Sequence, residues 1–173
     1  LLKQLEEKAQ FTQNVVFAVS NLMKAYYRTD NYQETIAYAE KVENLKSVEM
    51  RAINDAYLFS ARANMKLGNE AEAKEAYAVV QESATGVEAA EAIYFDAYFK
   101  HQEEQYQAST ESVKNLTKNY SRFKEFGFKG LILMAKNYYA LDDAFNATYI
   151  LESLEKCETA YPEIVEEVKT ELN

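Results

Sequence analysis

Apolar residues recur along almost the whole chain in steps of three and four. Val15, Val16, Val19, Leu22, Met23 and Tyr26 form one run, Ile93, Tyr94, Ala97 and Tyr98 a second, and Leu131, Met134, Ala135 and Tyr138 a third. Such steps put apolar groups on one stripe of a helix, unlike the strict alternation of a half-buried strand. The pattern breaks at Thr29-Asp30-Asn31, Lys46-Ser47, Gly68-Asn69, Thr85-Gly86, Gln102–Gln105, Ser121-Arg122, Leu141-Asp142-Asp143 and Ala160-Tyr161-Pro162. These points predict eight helices of about 14–18 residues and a C-terminal segment. Each break carries cap chemistry. Gly68 suits a left-handed position just past a helix end. Asp30, Ser47, Asn69, Thr85 and Asp142 are N-cap or turn formers, and Pro162 fits a helix start.

The predicted helices come in pairs, and the turns within the pairs align. With Asp30, Gly68, Glu104 and Asp142 in register, the spacings are 38, 36 and 38 residues. Five residues after the turn stands a small residue: Thr35, Ala73, Ser109 and Ala147. Twelve after it stands an aliphatic: Val42, Val80, Leu116 and Leu154. Seven before it stand Met23, Ala61, Ala97 and Ala135, and eleven before it Val19, Tyr57, Ile93 and Leu131. Two antiparallel helices approach most closely where both side chains are small, and bulkier groups fill the space on either side. One hairpin cannot bury its apolar face alone, so neighbours must stack.

Composition sharpens this picture. Four Gly and one Pro in 173 residues are far below ordinary usage, which excludes sheet-rich folds that need frequent turn breakers. No phosphate-cradling glycine motif is present. A net charge of −9 argues against a nucleic-acid partner, because duplex binders carry a basic stripe. The longest apolar runs, Val15–Val19 and Leu131–Ala135, are far short of a membrane span. The lone cysteine, Cys157, cannot form an intramolecular disulfide, and it follows the apolar stripe Ile150, Leu151 and Leu154. That stripe predicts a packed thiol.

The columns resemble the tetratricopeptide repeat, most closely in Tyr57, Ala61, Asn64, Gly68-Asn69, Ala73, Tyr77 and Val80. The likeness covers about Gln13 to Cys157. It departs from the usual pattern in its longer period, in the absence of Trp and in the lack of a closing Pro. In style the repeats are similar to those of bacterial periplasmic and envelope proteins, of the Tol–Pal-associated and outer-membrane-assembly lipoprotein type. The resemblance implies an all-α superhelical solenoid in one domain, with repeats at about 13–46, 48–84, 87–120 and 124–158. Residues 1–10 then end an upstream helix whose Leu1, Leu2 and Leu5 lack a packing partner. Residues 162–173, with Ile164, Val165, Val168 and Leu172 at helical spacing, form a cap helix. The chain reads as part of a longer one.

Little points to chemistry. The single histidine, His101, rules out the common catalytic and zinc arrangements that draw on several His or Cys, and it reads as an ordinary helix-end residue. Adjacent acids such as Glu103-Glu104 and Asp142-Asp143 point about 100° apart on a helix and do not share a site. No catalytic residue, metal or cofactor is expected. In tetratricopeptide arrays the first helix of each pair lines a concave groove. By register that face here carries Lys24 and Tyr27, then Asp55 and Arg62, then Glu91, Tyr94, Tyr98 and His101, then Lys136 and Tyr139. The column Lys24, Arg62, Tyr98, Lys136 holds three cations in an acidic chain. Lys24, Tyr27, Arg62, Tyr94, Tyr98, Lys136 and Tyr139 are therefore the expected binding face for a peptide or protein, in particular an acidic or C-terminal segment. Three alternatives stand beside this. The cations can pair with Asp55, Glu91 and neighbouring acids; the array can serve as a spacer or self-associate through Leu1–Leu5; or a small ligand can sit inside the superhelix.

Overall fold

The computed structural model describes residues 1–8, 11–158 and 162. Among these the chain is all-helical, without strands: α1 (Leu2–Lys8), α2 (Thr12–Arg28), α3 (Tyr32–Asn44), α4 (Met50–Leu67), α5 (Glu70–Ser83), α6 (Gly86–Gln102), α7 (Tyr106–Asn119), α8 (Lys124–Ala140) and α9 (Ala144–Glu158). No helix among the described residues is long and apolar enough to cross a membrane. The cap helix expected over 162–173 lies, Pro162 aside, outside the described residues, as does the packing of the Cys157 side chain.

The helices gather into two compact units, Leu1–Ala84 and Thr85–Asn173. In the first, α2 pairs with α3 and α4 with α5, while α4 also packs on α3 and on α2. Its core is built on Val19, Met23, Ala39, Val42 and Ala56. In the second, α6 pairs with α7 and α8 with α9, and α8 packs on both α7 and α6. Ile93, Tyr94, Val113, Leu116, Phe126 and Leu133 fill the centre of this unit, and Phe128, Ala135, Ile150 and Leu154 fill the space between α8 and α9. Each fully buried aliphatic side chain stabilises by about 1.5–3 kcal/mol relative to exposure.

All four pairs turn in the same way. Asp30, Gly68, Glu104 and Asp142 have φ of 57, 78, 59 and 59°, in the left-handed region. The N–H of each donates to the carbonyl three residues back, on Tyr27, Met65, His101 and Tyr139. The next N–H, on Asn31, Asn69, Gln105 and Asp143, donates to the carbonyl five back, on Tyr26, Asn64, Lys100 and Tyr138. This is the paired bonding of a Schellman motif, and it satisfies carbonyls that a helix end leaves open. The carbonyls of Asn31, Asn69, Gln105 and Asp143 then accept the N–H of Thr35, Ala73, Ser109 and Ala147, which opens the second helix. Asp30 and Asp142 thus form the turns themselves. The side-chain cap at the fourth turn comes from Asp143, whose Oδ1 accepts the Asn146 N–H at 3.1 Å while Oδ2 accepts Asn146 Nδ2 at 2.7 Å.

The small-residue columns lie where the paired helices meet. Thr35, Ala73, Ser109, Ala61 and Ala97 are wholly buried, and so is Met23, the one large residue in these columns. In the third pair the approach is close enough for Ser109 Oγ to donate to the Ala97 carbonyl at 2.7 Å.

At the N-terminus, α1 lies against α2 but buries none of its residues fully. Leu1 is fully exposed, and Leu2 and Leu5 are half-buried. Polar contacts tie the helix down: Lys41 Nζ donates to Glu6 Oε1 at 2.7 Å and Tyr38 Oη to Glu6 Oε2 at 3.0 Å. Burial alone would raise the Glu6 carboxyl, but the bonds from Lys41 and Tyr38 together outweigh it and hold the group below its ordinary value.

Two predictions follow from these contacts. An L-residue other than glycine pays roughly 1 kcal/mol in the left-handed region, so Glu104→Gly should raise and Gly68→Ala lower stability by about that amount in chemical denaturation. Because the folded-state Glu6 value is depressed, its contribution is present above the unfolded carboxylate range and is lost as pH falls through the folded value. NMR contacts between Glu6 and Tyr38 should therefore persist at neutral pH and fade only once the pH drops below the ordinary carboxylate range. In Glu6→Gln, which is uncharged throughout, they should be weak at every pH.

Candidate functional site

The first unit brings three of the expected residues into one cluster. Lys24 and Tyr27 stand on α2 and Arg62 on α4, and the ring of Phe59 lies among them. Lys24 Nζ is 5.9 Å and the Arg62 guanidinium 5.5 Å from the Phe59 centroid. Tyr27 meets the same ring edge-on at 5.2 Å, with 84° between the planes. Such arrangements favour cations on the ring face and aromatic pairs edge to face. Lys24 also pairs with Asp55 of α4, so one of the expected cations is matched by an acid. The side chains of Lys24 and Asp55 are 34% and 15% exposed, and a partly hydrated pair of this kind contributes at most about 1 kcal/mol.

Phe59 was not among the expected site residues. Its signal was available: it lies four residues after Asp55 and three before Arg62, on the same helical face.

The second unit distributes its expected residues differently. Tyr94 is buried, with its ring 6.1 Å from Phe126 of α8. It serves the core and not a groove surface. Tyr98 is half-buried and belongs to an aromatic run along α6, edge-on to Phe95 at 6.1 Å and to Phe99 at 5.5 Å. Lys136 is exposed on α8, and Tyr139 more so, at 76%. Tyr27, Arg62, Tyr98 and Lys136 all engage neighbouring groups.

His101 proves to be more than a helix-end residue. Its Nδ1 lies 2.6 Å from Asn137 Oδ1 on α8. Asn137, wholly buried, donates through Nδ2 to Ser109 Oγ on α7 at 2.8 Å, and Ser109 donates to the Ala97 carbonyl on α6. The imidazole also meets the ring of Tyr106 at 5.5 Å and 61°. Tyr27 meets Tyr32 at 5.7 Å and the same 61° at the equivalent place in the first turn.

Among the described residues no group of three or more His, Cys, Asp or Glu side chains is placed to hold a metal ion. An open cleft of about 320 Å³ lies beside α1, floored by Val15, Val19 and Leu45 and rimmed by Glu6, Glu40, Lys41 and Asn44. It is on neither the Lys24–Arg62 nor the Lys136–Tyr139 surface.

No protein-family model matches this chain, and no curated protein matches it.

The relay predicts its own cost of removal. The position of Ser109 holds Thr35, Ala73 and Ala147 in the other pairs, so alanine fits there. Ser109→Ala would leave the buried Asn137 amide without an acceptor, which costs about 1–3 kcal/mol. Denaturant unfolding should show that loss, whereas Thr35→Ala, whose hydroxyl bonds only the Asn31 carbonyl at 2.9 Å, should cost clearly less.

Proposed function

We propose that this chain is a non-enzymatic scaffold of tetratricopeptide-like hairpins that holds a segment of another protein against the faces of its first helices. The observation that carries the reading is the cluster of Lys24, Tyr27, Phe59 and Arg62 on α2 and α4. It sets two cations around a half-buried aromatic ring in a chain of net charge −9. Such a surface offers a carboxylate two charged donors, and an apolar neighbour the ring edge. Asp55 already sits on Lys24, so an acidic segment binds there by replacing one carboxylate with another.

The repeat reading draws support from the four Schellman turns at register-equivalent positions and from the buried small residues on either side of the turns, Met23 before the first being the one large residue. Within each unit the packing of one first helix on the next, α2 with α4 and α6 with α8, is the arrangement such repeats need to present a continuous first-helix face. Lys136 and Tyr139 give the second unit an exposed cation and ring of its own.

The test is a library of random peptides with free C-termini, panned on the full chain. The expected result is enrichment of acidic C-terminal sequences that bind Arg62→Glu, Lys136→Glu at least tenfold more weakly and that weaken as salt is raised. Selected peptides that bind the charge-reversed chain as tightly as the parent would sink the reading.

A further inference from the structure

Counting donors around Asn137 fixes the state of His101. Ser109 has one hydroxyl proton, and its Oγ lies 2.7 Å from the Ala97 carbonyl, which can only accept. The proton goes there, and Oγ turns lone pairs toward Asn137. Asn137 must then present its Nδ2–H to Ser109, at 2.8 Å, and its Oδ1 to His101. Oδ1 also only accepts, so the His101 Nδ1 at 2.6 Å carries a hydrogen. A neutral His101 is therefore the Nδ1–H tautomer, with its lone pair on Nε2.

Nε2 has no partner among the described residues. The buried side-chain polar atoms without a hydrogen bond among them are Ser20 Oγ and Thr110 Oγ1, and Nε2 is not one of these. The ring cannot easily turn away, because Asn137 holds one edge and Tyr106 meets its side. In the register of the four turns His101 shares its place with Tyr27, Met65 and Tyr139, on the same face as Tyr98 and Lys136. The supporting polar groups occur together only here. The position of Asn137 holds Ala25, Ala63 and Phe99 in the other pairs, and that of Ser109 holds Thr35, Ala73 and Ala147. A hairpin that needed only a filled core has the Ala and Phe choices among these. A buried three-residue relay is costly unless complete, and what it accomplishes is to fix one ring nitrogen.

We propose that His101 is the specificity-determining residue of the α6–α8 face. It offers Nε2 as a fixed acceptor to an uncharged N–H or O–H donor of the bound polypeptide segment, and Asn137 and Ser109 act as positioning residues. This rests on the peptide-holding function proposed above. An acceptor aimed at the ligand selects for an amide or hydroxyl at that point and against a carboxylate, whose lone pairs would face its own.

Two measurements on the full chain test this. Ring nitrogen NMR of the neutral imidazole should show Nδ1 protonated and Nε2 bare, and Ser109→Ala should shift the ring toward a mixture of tautomers. A dominant Nε2–H form in the parent chain overturns the proposal, whatever the variants do. Peptides enriched from the random library should bind His101→Phe, which keeps a ring against Tyr106, about five- to tenfold more weakly. They should lose a similar factor when the one amide or hydroxyl donor that faces His101 is removed. Equal binding to parent and His101→Phe overturns this proposal and leaves the scaffold reading standing. A library that yields no binder to the parent chain overturns both.

Discussion

The rest of the structure depends on one backbone state, the left-handed residue that ends each first helix. Two helices joined by so short a turn must reverse direction at once, and the Schellman pair of hydrogen bonds does this while satisfying carbonyls of the helix end. Only Gly68 occupies that state without steric cost. Asp30, Glu104 and Asp142 occupy it at a cost, and the packing downstream offsets that cost. The turn delivers Thr35, Ala73, Ser109 and Ala147 to the start of each second helix, where a small side chain lets the partner helix come close. Close approach in turn gives Val42, Val80 and Leu116 full burial. A shift of one residue at the turn would rotate the second helix by about 100° and move those groups out of the core.

That dependence explains what could be read in the sequence. Helix periodicity, turn positions and the columns around them are local, and a repeat displays each of them four times. Contacts between side chains far apart in sequence are written only once. Nothing near Glu6 announces that Tyr38 and Lys41 will bond it, so the N-terminal helix read as an uncovered edge although it is held by polar contacts. Register alone placed Tyr94 on the binding face, but Phe126 arrives from α8 to meet it, and the ring belongs to the core. The same projection put Lys24, Tyr27 and Arg62 on one face and missed Phe59, because a projection by column follows repeat positions and not the reach of a large side chain.

The cluster around Phe59 is weak as a stabilising device. Lys24 and Asp55 keep enough water to limit their pair to about 1 kcal/mol or less, and each cation near the ring contributes on the order of 0.5–1 kcal/mol at a hydrated site. Core aliphatics each contribute more. A partner that replaced Asp55, as the proposed function requires, would therefore disturb little of what holds α2 and α4 together. Low internal cost and exposed charge are what a reversible binding surface needs, whereas a buried ion pair would resist exchange because opening it strands a charge.

The residue three before the turn, aromatic in three pairs and Met65 in the second, shows how a repeat diversifies without changing its frame. Tyr27 leans on Tyr32, and His101 on Tyr106, with the same 61° between rings. The residue two past the turn supplies the support in both cases. Where that residue is Ala144, the corresponding Tyr139 has no such ring to lean on and stands 76% exposed. Support from one neighbour thus separates an exposed ring from an oriented one at the same register position. At His101 the support is doubled by Asn137 from the next pair, which reaches the imidazole only because Ser109 and Ala97 let α6 and α7 touch. The orientation of one nitrogen is therefore a consequence of the small-residue columns, and those columns meet only because the turn residue before them is left-handed.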